Sequence, residues 1–417
     1  MSAGSWRHEP LFILTTLTLV NTINWADRQV VPILIPSIKL ELGLSDTELG
    51  LIGGLAFSLV YAVAAFVFGY LADRSSRRAV IAFGLVCWSL ATAASGLASS
   101  FWGLFAARFV TGIGEASLYP CAMSLIADAY PPDKRGRAIG MLGASTALGG
   151  GFGIGLGGWL VGVVGWREVF FLYGLAGFFL LPLLMVMVEP ARRGHAGEEA
   201  HEPPVRIVSE ALRDKRLLWV WATGALMIAS ATSWITWAPT YFSRDLHFDV
   251  QQIGLIFGVA QLFGGVAGSL AGGHFGDIWR RRRFAGQLRV SAWAAFLTFP
   301  MVGLALLSVP NVVLFTAAVL GPFFIFAAFP NLQTIVAEIV PAKRLGLTFA
   351  VHVLFLSGIG AALGPFIVGW VSDWTGSLRT ALVVPVVGSL LAAFCGLMAE
   401  RVVRARTPQD ERGGVAG

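Results

Sequence analysis

Long apolar segments alternate with short polar segments along this chain. Twelve of the apolar segments are long enough to cross a bilayer, which takes about 20 helical residues. Their predicted bounds are 11–37, 48–72, 79–98, 101–126, 137–164, 168–188, 217–242, 250–274, 286–308, 311–338, 346–372 and 379–400. The pattern predicts an all-α polytopic membrane protein, and we number the twelve segments spans 1 to 12 in chain order.

The composition supports this prediction and excludes an ordinary soluble domain. Of the 417 residues, 56% are hydrophobic and only 13% are charged, and the mean hydropathy is +0.73. Soluble domains carry roughly 25% charged residues. The chain therefore cannot cover a water-facing surface of normal size.

The distribution of basic residues predicts the topology. The formal net charge is +6, which by itself would also suit a nucleic-acid-binding protein. However, 23 of the 30 lysines and arginines fall in the two tails and in alternate loops when the N-terminus is placed inside. The positive-inside rule then puts both termini in the cytoplasm. We predict a multi-pass protein of the inner or plasma membrane that contacts lipid and no nucleic acid.

Two loops carry nearly the same polar motif. The loop after span 2 contains Gly69, Asp73, Arg74, Arg77 and Arg78. The loop after span 8, 204 residues later, keeps Asp277 and Arg281 but has Ile278 at the position of Arg74. Three further short matches recur in the same order in both halves. We therefore predict two pseudo-symmetric six-helix bundles, residues 1–188 and 217–417, joined by a cytoplasmic linker at 189–216.

The motif after span 2 suits a gate. Gly69 has no Cβ, which would let a neighbouring helix approach closely. Asp73 is expected to accept hydrogen bonds from a neighbouring helix end or from Arg77, and so to hold the cytoplasmic side shut. The alternative is that the three arginines of the motif only set the topology.

Four charged residues lie well inside predicted spans: Asp27, Arg28, Arg108 and Glu115. An ionised group near the bilayer centre costs at least ~2.5 kcal/mol on insertion scales, so these groups need partners or an aqueous cavity. The helical rise places Asp27 at the level of Arg108 and Glu115 close to the midplane. We predict that Asp27 pairs with Arg108. Arg28 or Glu115 is then available for another role.

The polar face of span 1 extends this cluster through Asn21 and Asn24, which share a helical face with Arg28. None of the four charges has a charged counterpart at the matching position of the other half, which favours a functional role over packing. We assign proton coupling to Asp27 and Glu115 and substrate binding to Arg28, Arg108, Asn21 and Asn24. A purely structural ion-pair network is the alternative.

The loop motif resembles the signature between helices two and three of the major facilitator superfamily. Within that superfamily, the segment Asn24–Arg28 in span 1 and the segment Arg108–Ser117 in span 4 are similar to the spinster-like branch. This resemblance implies alternating access and movement of a sphingosine phosphate or lysophospholipid, with protons coupled through buried acids. Similar elements in organic-anion permeases imply a small carboxylate as the alternative substrate.

The predicted function is therefore secondary active transport, driven by protons, of an anionic lysolipid or small organic anion. Five of the six histidines lie in or beside loops or tails without ligand spacing, so we expect neither an enzyme nor a metal or cofactor site. The sixth, His352, lies in span 11, where it is a packing residue or a titrating one. We expect a monomer.

Glycine ladders predict where helices pack closely. Gly149, Gly153 and Gly157 in span 5, and the ladder from Gly264 to Gly276 in span 8, repeat every four residues. Small residues at this spacing let helix backbones approach each other. In the resembled fold, spans 5 and 8 meet at the interface between the halves.

Overall fold

The computed structural model describes residues 9–192, 203–307 and 310–405, and within these ranges the chain forms helices and short connections without a strand. Residues 193–202 of the predicted linker and residues 406–417 of the predicted tail lie outside the described residues. The predicted all-α membrane fold is confirmed.

Twelve helices correspond to the twelve predicted spans. In chain order they are Pro10–Leu42, Asp46–Arg74, Arg77–Gly96, Phe101–Ala129, Lys134–Val164, Trp166–Val186, Lys215–Arg244, Val250–Arg282, Gln287–Ala305, Val313–Ile339, Arg344–Thr375 and Leu378–Ala405. Among the described residues, all but the first of these helices are long and apolar enough to be candidate membrane spans. Span 1 carries the polar face described above, yet its 33 residues reach about 50 Å at 1.5 Å per residue, which is enough to cross.

Several helices extend beyond their predicted ends. Span 1 continues to Leu42, where Gly43 ends it in the left-handed conformation at φ 64°. The linker contains a helix at Pro204–Arg213, with a strongly two-sided distribution of apolar and polar residues, and Asp214 then caps the start of span 7. We call the membrane side that bears this linker the linker side, and the opposite side the far side.

Three spans contain a short π-helical stretch. These stretches are Leu51–Leu55 in span 2, Ala260–Gly264 in span 8 and Leu354–Ala361 in span 11. Such single turns inside an α-helix occur frequently at functional sites. All three lie on helices that connect the two halves of the chain.

Two helix pairs make most of the contact between the halves, span 5 with span 8 and span 2 with span 11, and span 1 also contacts span 7. A shift of six spans converts one pair into the other, as expected for a duplicated unit. The predicted meeting of spans 5 and 8 is therefore confirmed. However, the glycines at this contact are not those of the predicted ladders.

The predicted ladders pack inside each half. A Cβ at Gly153 would lie 2.5 Å from the carbonyl oxygen of Ala26 in span 1, and Gly268 similarly abuts Phe323 in span 10. The glycines between the halves lie one or two positions away, where a Cβ at Gly158 would approach Gly254 at 2.7 Å. The four-residue repeat identified close packing but did not identify which helix face meets which neighbour.

Both connections between the halves begin at the far side and end near the middle of the membrane. Along spans 2 and 11, contact extends as far as Gly358, where a Cβ would lie 3.5 Å from the Cβ of Ala62. Nearer the linker side, no atom of the described residues lies within 4 Å of a Cβ added at Gly69 or at Gly346 in the same spans. The halves are thus packed together at the far side and separated at the linker side.

Candidate functional site

The four charged residues within the spans form two ion pairs between span 1 and span 4. Nε of Arg28 donates to Oε2 of Glu115 at 2.5 Å, and Nη1 of Arg108 lies 3.5 Å from Oδ1 of Asp27. Each span supplies one acid and one base, so the cluster is electrically balanced. The predicted pairing of Asp27 with Arg108 is present, and the remaining Arg28 and Glu115 pair with each other.

The Asp27–Arg108 pair is almost completely enclosed by protein. The two side chains are 2% and 3% exposed. Thr92 of span 3 donates its hydroxyl to Oδ2 of Asp27 at 2.7 Å, whereas Nε and Nη1 of Arg108 have no hydrogen-bond partner among the described residues. This pair joins three spans inside one half, which is the arrangement expected of a structural element.

The Arg28–Glu115 pair is enclosed on one side only. The Arg28 side chain is 16% exposed, whereas that of Glu115 is fully buried. Besides the bond to Glu115, Nη2 of Arg28 donates to Oδ1 of Asn24 at 3.1 Å. Oε1 of Glu115 has no hydrogen-bond partner among the described residues. Arg28 is therefore the member of the cluster that a solute can reach.

Three aromatic rings surround the Arg28 guanidinium. Its central carbon lies 4.9 Å from the ring centre of Trp25, 4.8 Å from that of Phe57 and 4.2 Å from that of Tyr61. Ring faces attract a cation and shield it from competing water. The predicted site residues did not include Phe57, Tyr61 or Thr92. Phe57 and Tyr61 lie four residues apart on span 2, a spacing that places both rings on one helix face.

Asn21 does not belong to this cluster. Its side-chain amide donates to the hydroxyl of Ser145 at 2.7 Å and to the carbonyl oxygen of Leu142 at 3.2 Å, both in span 5. The amide thus holds span 1 against span 5, and the predicted role in substrate binding has no geometric support.

On the linker side, Arg77 is the centre of a second charged network. Its side chain is 1% exposed, and it pairs with Asp128 at the end of span 4 and with Glu189 after span 6, where Nε lies 2.6 Å from Oε1. Partial burial opposes ionisation of Glu189, but the hydrogen bonds from Arg77 and Ser76 prevail and lower the pKa of this carboxyl. This network fixes the ends of spans 3, 4 and 6 to one another.

Two predictions for the loop motif are wrong in this conformation. Arg77 bonds to acids of other spans rather than to Asp73, whose carboxylate is exposed and whose carbonyl oxygen accepts from Arg192. Gly69 has none of the other helices in the described part of the chain close to it. Arg74 lies over the ring of Tyr70 at 3.8 Å. Sequence proximity favoured partners within the loop, whereas the fold supplies stronger ones from distant spans.

Arg78 and the second copy of the motif also form contacts at the ends of helices. Arg78 donates to the carbonyl oxygen of Met187 at 2.9 Å. In the second half Arg281 is exposed, and Arg280 instead pairs with Glu338 at 3.0 Å and with Asp277 at 3.4 Å. The loop after span 8 therefore keeps the basic charge of the motif, but Arg280 rather than Arg281 forms the ion pairs.

His352 is buried in span 11, with 1% of its surface exposed. Its ring lies 5.7 Å from that of Phe349, and neither ring nitrogen has a hydrogen-bond partner among the described residues. Its apolar surroundings fit the packing interpretation.

Comparisons with known proteins find several membrane transporters among the relatives of this chain. The chain is 29% identical to an MFS-type efflux pump of Mycolicibacterium smegmatis, over 86% of this chain and 83% of that protein. It is 29% identical to a probable L-galactonate transporter of Escherichia coli (87% and 83% covered) and 26% identical to mouse protein spinster homolog 3 (89% and 76%).

The fold also matches a solved structure. A bacterial homolog of the human lysosomal transporter Spinster, in an inward-facing and unoccupied conformation, superposes with a TM-score of 0.82 at 24% identity, over 95% of this chain and 98% of that one. The family model described as the Major Facilitator Superfamily matches residues 17–351 and 244–416. The spinster-like resemblance seen in the sequence is thus supported. The chain belongs to the major facilitator superfamily of membrane transporters and is not an enzyme.

Proposed function

We propose that this transporter is proton-coupled and binds the anionic headgroup of a single-chain amphiphile at Arg28, with a small organic anion as the second candidate. The observation that carries the proposal is the partial exposure of Arg28, which is bonded to Glu115 and surrounded by three rings. A guanidinium in this setting is satisfied by a carboxylate or phosphate, which it binds through two parallel hydrogen bonds.

The coupling follows from competition for Arg28. A substrate anion that takes the hydrogen bonds of Arg28 leaves the fully buried carboxylate of Glu115 without its counter-charge. An unpaired buried charge is costly, and a carboxylate avoids the cost by binding a proton. Proton uptake at Glu115 would then accompany substrate binding, with Asp27 and Arg108 holding span 4 in place.

The chain carries both halves of the transport pathway, so we propose that a monomer suffices. The halves are residues 1–188 and 217–417, and the linker at 189–216 and both termini face the cytoplasm. In this orientation the structure is open to the cytoplasm. We further propose that Arg77 and Arg78 keep the ends of the N-terminal bundle rigid while the bundles move relative to each other.

Glu115→Gln tests the coupling. The variant keeps a hydrogen-bond acceptor for Arg28 but cannot carry a proton, so flux driven by a pH gradient should be lost while substrate exchange at equal pH persists. Reconstituted vesicles with an imposed gradient measure both. Glu41→Gln, which changes a carboxylate at the far end of span 1, is the matched control and should retain both activities. Undiminished proton-driven transport by Glu115→Gln would contradict the proposal.

Ligand length separates the two substrate classes. The spinster-like resemblance favours a headgroup with an acyl or sphingoid chain, whereas the galactonate relative favours a small carboxylate. For n-alkyl phosphates below their micelle concentrations, affinity should increase by up to ~0.8 kcal/mol for each added methylene if a tail enters an apolar cavity. Galactonate, tested in the same way, represents the small-anion alternative. Affinity that stays flat along the alkyl series, with galactonate transported, would establish the small-anion alternative.

A further inference from the structure

At the far side, an acid of the N-terminal half collects contacts from the C-terminal half. Asp46 begins span 2 and is 2% exposed. Its carboxylate accepts from Nη1 of Arg244 at 3.0 Å and from the hydroxyl of Ser372 at 2.6 Å, and these partners end spans 7 and 11. Lys39 of its own half also donates to Asp46. The carboxylate is thus shared between the halves.

A second acid makes the opposite connection. Asp373 of the C-terminal half accepts from the backbone N–H of Asp46 at 3.0 Å, from that of Thr47 at 2.7 Å and from the Thr47 hydroxyl at 2.5 Å. The first amides of a helix have no partner within it, and a negative charge at this end is favoured by the helix dipole. The third amide is capped within its own half by Ser45. Two of the first three amides of span 2 therefore depend on the other half of the protein.

The backbones beneath these acids are in direct contact. A Cβ at Gly369 would overlap with the carbonyl oxygen of Asp46, and a Cβ at Gly50 would lie 2.6 Å from that of Pro365. Gly54 meets Ala362 in the same way at 2.6 Å. Side chains at these positions would separate spans 2 and 11, so the acids lie above a surface that permits full closure.

Irregular helix lies within the closed surface. The π-helical stretch of span 2 starts at Leu51, five residues after Asp46, and that of span 11 ends at Ala361, next to Ala362. Both spans therefore contain turns with a different hydrogen-bond pattern inside their contact with each other. Such a turn is a place at which the outer part of a helix can change direction relative to the rest.

We propose that Asp46 and Asp373 form a reciprocal clasp that keeps the far side closed and whose release is required for the far side to open. Each acid binds groups of the opposite half, so opening exposes two carboxylates and two helix amides at once. The clasp acts on the conformational equilibrium whatever the substrate is.

The populations of the two conformations test the clasp directly. Spin labels at Ser99 and Asp249 report the distance between the halves at the far side, and labels at Arg137 and Arg282 report it at the linker side. Pulsed electron–electron resonance is measured on ligand-free, cysteine-substituted protein in lipid nanodiscs. Without variants in the clasp, the far-side distance should be short and the linker-side distance long. Because no substrate is present, failure of the proposed substrate class would leave this test unaffected.

Two acid-to-amide variants should shift the equilibrium. Asp46→Asn and Asp373→Asn each remove charge-assisted hydrogen bonds between the halves, and each should raise the ratio of far-side-open to far-side-closed protein by at least about tenfold. Ser372→Ala removes one neutral donor, is milder for folding, and should give a smaller shift in the same direction. Distances that remain at the unsubstituted values in all three variants would overturn the proposal.

A matched control lies at the same side of the membrane. Glu41 pairs with Arg167 at 2.8 Å, and both residues belong to the N-terminal half. Glu41→Gln removes an ion pair of the same side without touching the contact between halves, so the distance distributions should not change. A shift as large as that of Asp46→Asn would show that any loss of charge at this side acts alike, and the clasp would then be rejected.

Discussion

The enclosed Asp27–Arg108 pair gives a quantitative prediction for stability. Arg108→Gln removes the counter-charge of the Asp27 carboxylate, which is 2% exposed and keeps its hydrogen bond from the Thr92 hydroxyl. Removing one member of a buried ion pair typically costs about 3–5 kcal/mol because the other charge stays buried and uncompensated. A cost of about 3 kcal/mol corresponds to roughly a 150-fold change in the unfolding equilibrium constant.

A second substitution should recover most of this loss. In Asp27→Asn/Arg108→Gln both groups are neutral, and replacing a buried pair as a whole is often close to neutral. The free energy of unfolding is measured in mixed micelles by titration with sodium dodecyl sulfate, followed by circular dichroism. Arg167→Gln, which breaks the more exposed pair with Glu41, should cost no more than about 1 kcal/mol.

Two results would refute this reasoning. One is a single Arg108→Gln variant as stable as the parent, and the other is a double variant no more stable than the single one. The double variant also separates stability from function. If it folds and still transports, Asp27 and Arg108 serve the scaffold alone, and the coupling must depend on Glu115 and Arg28.

Two further predictions concern the linker side and the orientation of the chain. Single-cysteine labels at Gly43 and Asp249 should react with an impermeant reagent from outside the cell and a label at Ser75 only from inside, and a cytoplasmic Asp249 would disprove the proposed topology. The linker helix is held by Arg344, which donates to Glu210 at 2.6 Å. Hydrogen bonds from Arg206 and Arg344 lower the pKa of this exposed carboxyl, so the contact should persist at neutral pH and be lost only as the pH falls below the ordinary value of about 4.3. Protease protection of the linker, measured against pH, should decrease in that acid range, and Glu210→Gln should remove the pH dependence.

Hydrophobic patterning alone predicted the fold because a bilayer leaves few alternatives to apolar helices. The helix ends were predicted less well. Span 1 extends to Leu42 because Lys39 and Glu41 find charged partners at the far side, so their charges do not end the helix. A hydropathy profile assigns such residues to a loop, whereas in the structure they form ion pairs that hold the end of the helix.

Part of the candidate site was also accessible from sequence. The pairing of Asp27 with Arg108 follows from helical rise and span direction, both of which are fixed once the topology is known. The aromatic rings around Arg28 did not follow, because Phe57 and Tyr61 resemble any other apolar residue of a span. Their role depends on which face of span 2 turns toward span 1, and apolar composition carries no such information.

Contacts between distant spans were the least predictable feature. Asp73 was expected to accept from a neighbouring helix end or from Arg77, yet Arg77 binds Asp128 and Glu189 at the ends of two other spans. Asp373 lay just beyond the predicted end of span 11 and was not considered. In each case the sequence identifies a charged group near a membrane boundary, and only the packing of the helices determines its partner.

The two halves share the same helix arrangement but carry different charged residues. The charges of spans 1 and 4, of which Arg28 is the one that a solute can reach, belong to the N-terminal half. The C-terminal half supplies Arg244 and Asp373, which bind the N-terminal half at the far side. Arg28, the proposed substrate-binding residue, and Asp46 thus belong to the same bundle. Arg28 lies inside the membrane, whereas Asp46 lies at its far side. Duplication therefore explains the matching helix pairs, and divergence of the two copies explains why Asp27, Arg28, Arg108 and Glu115 have no charged counterparts at the matching positions of the C-terminal half.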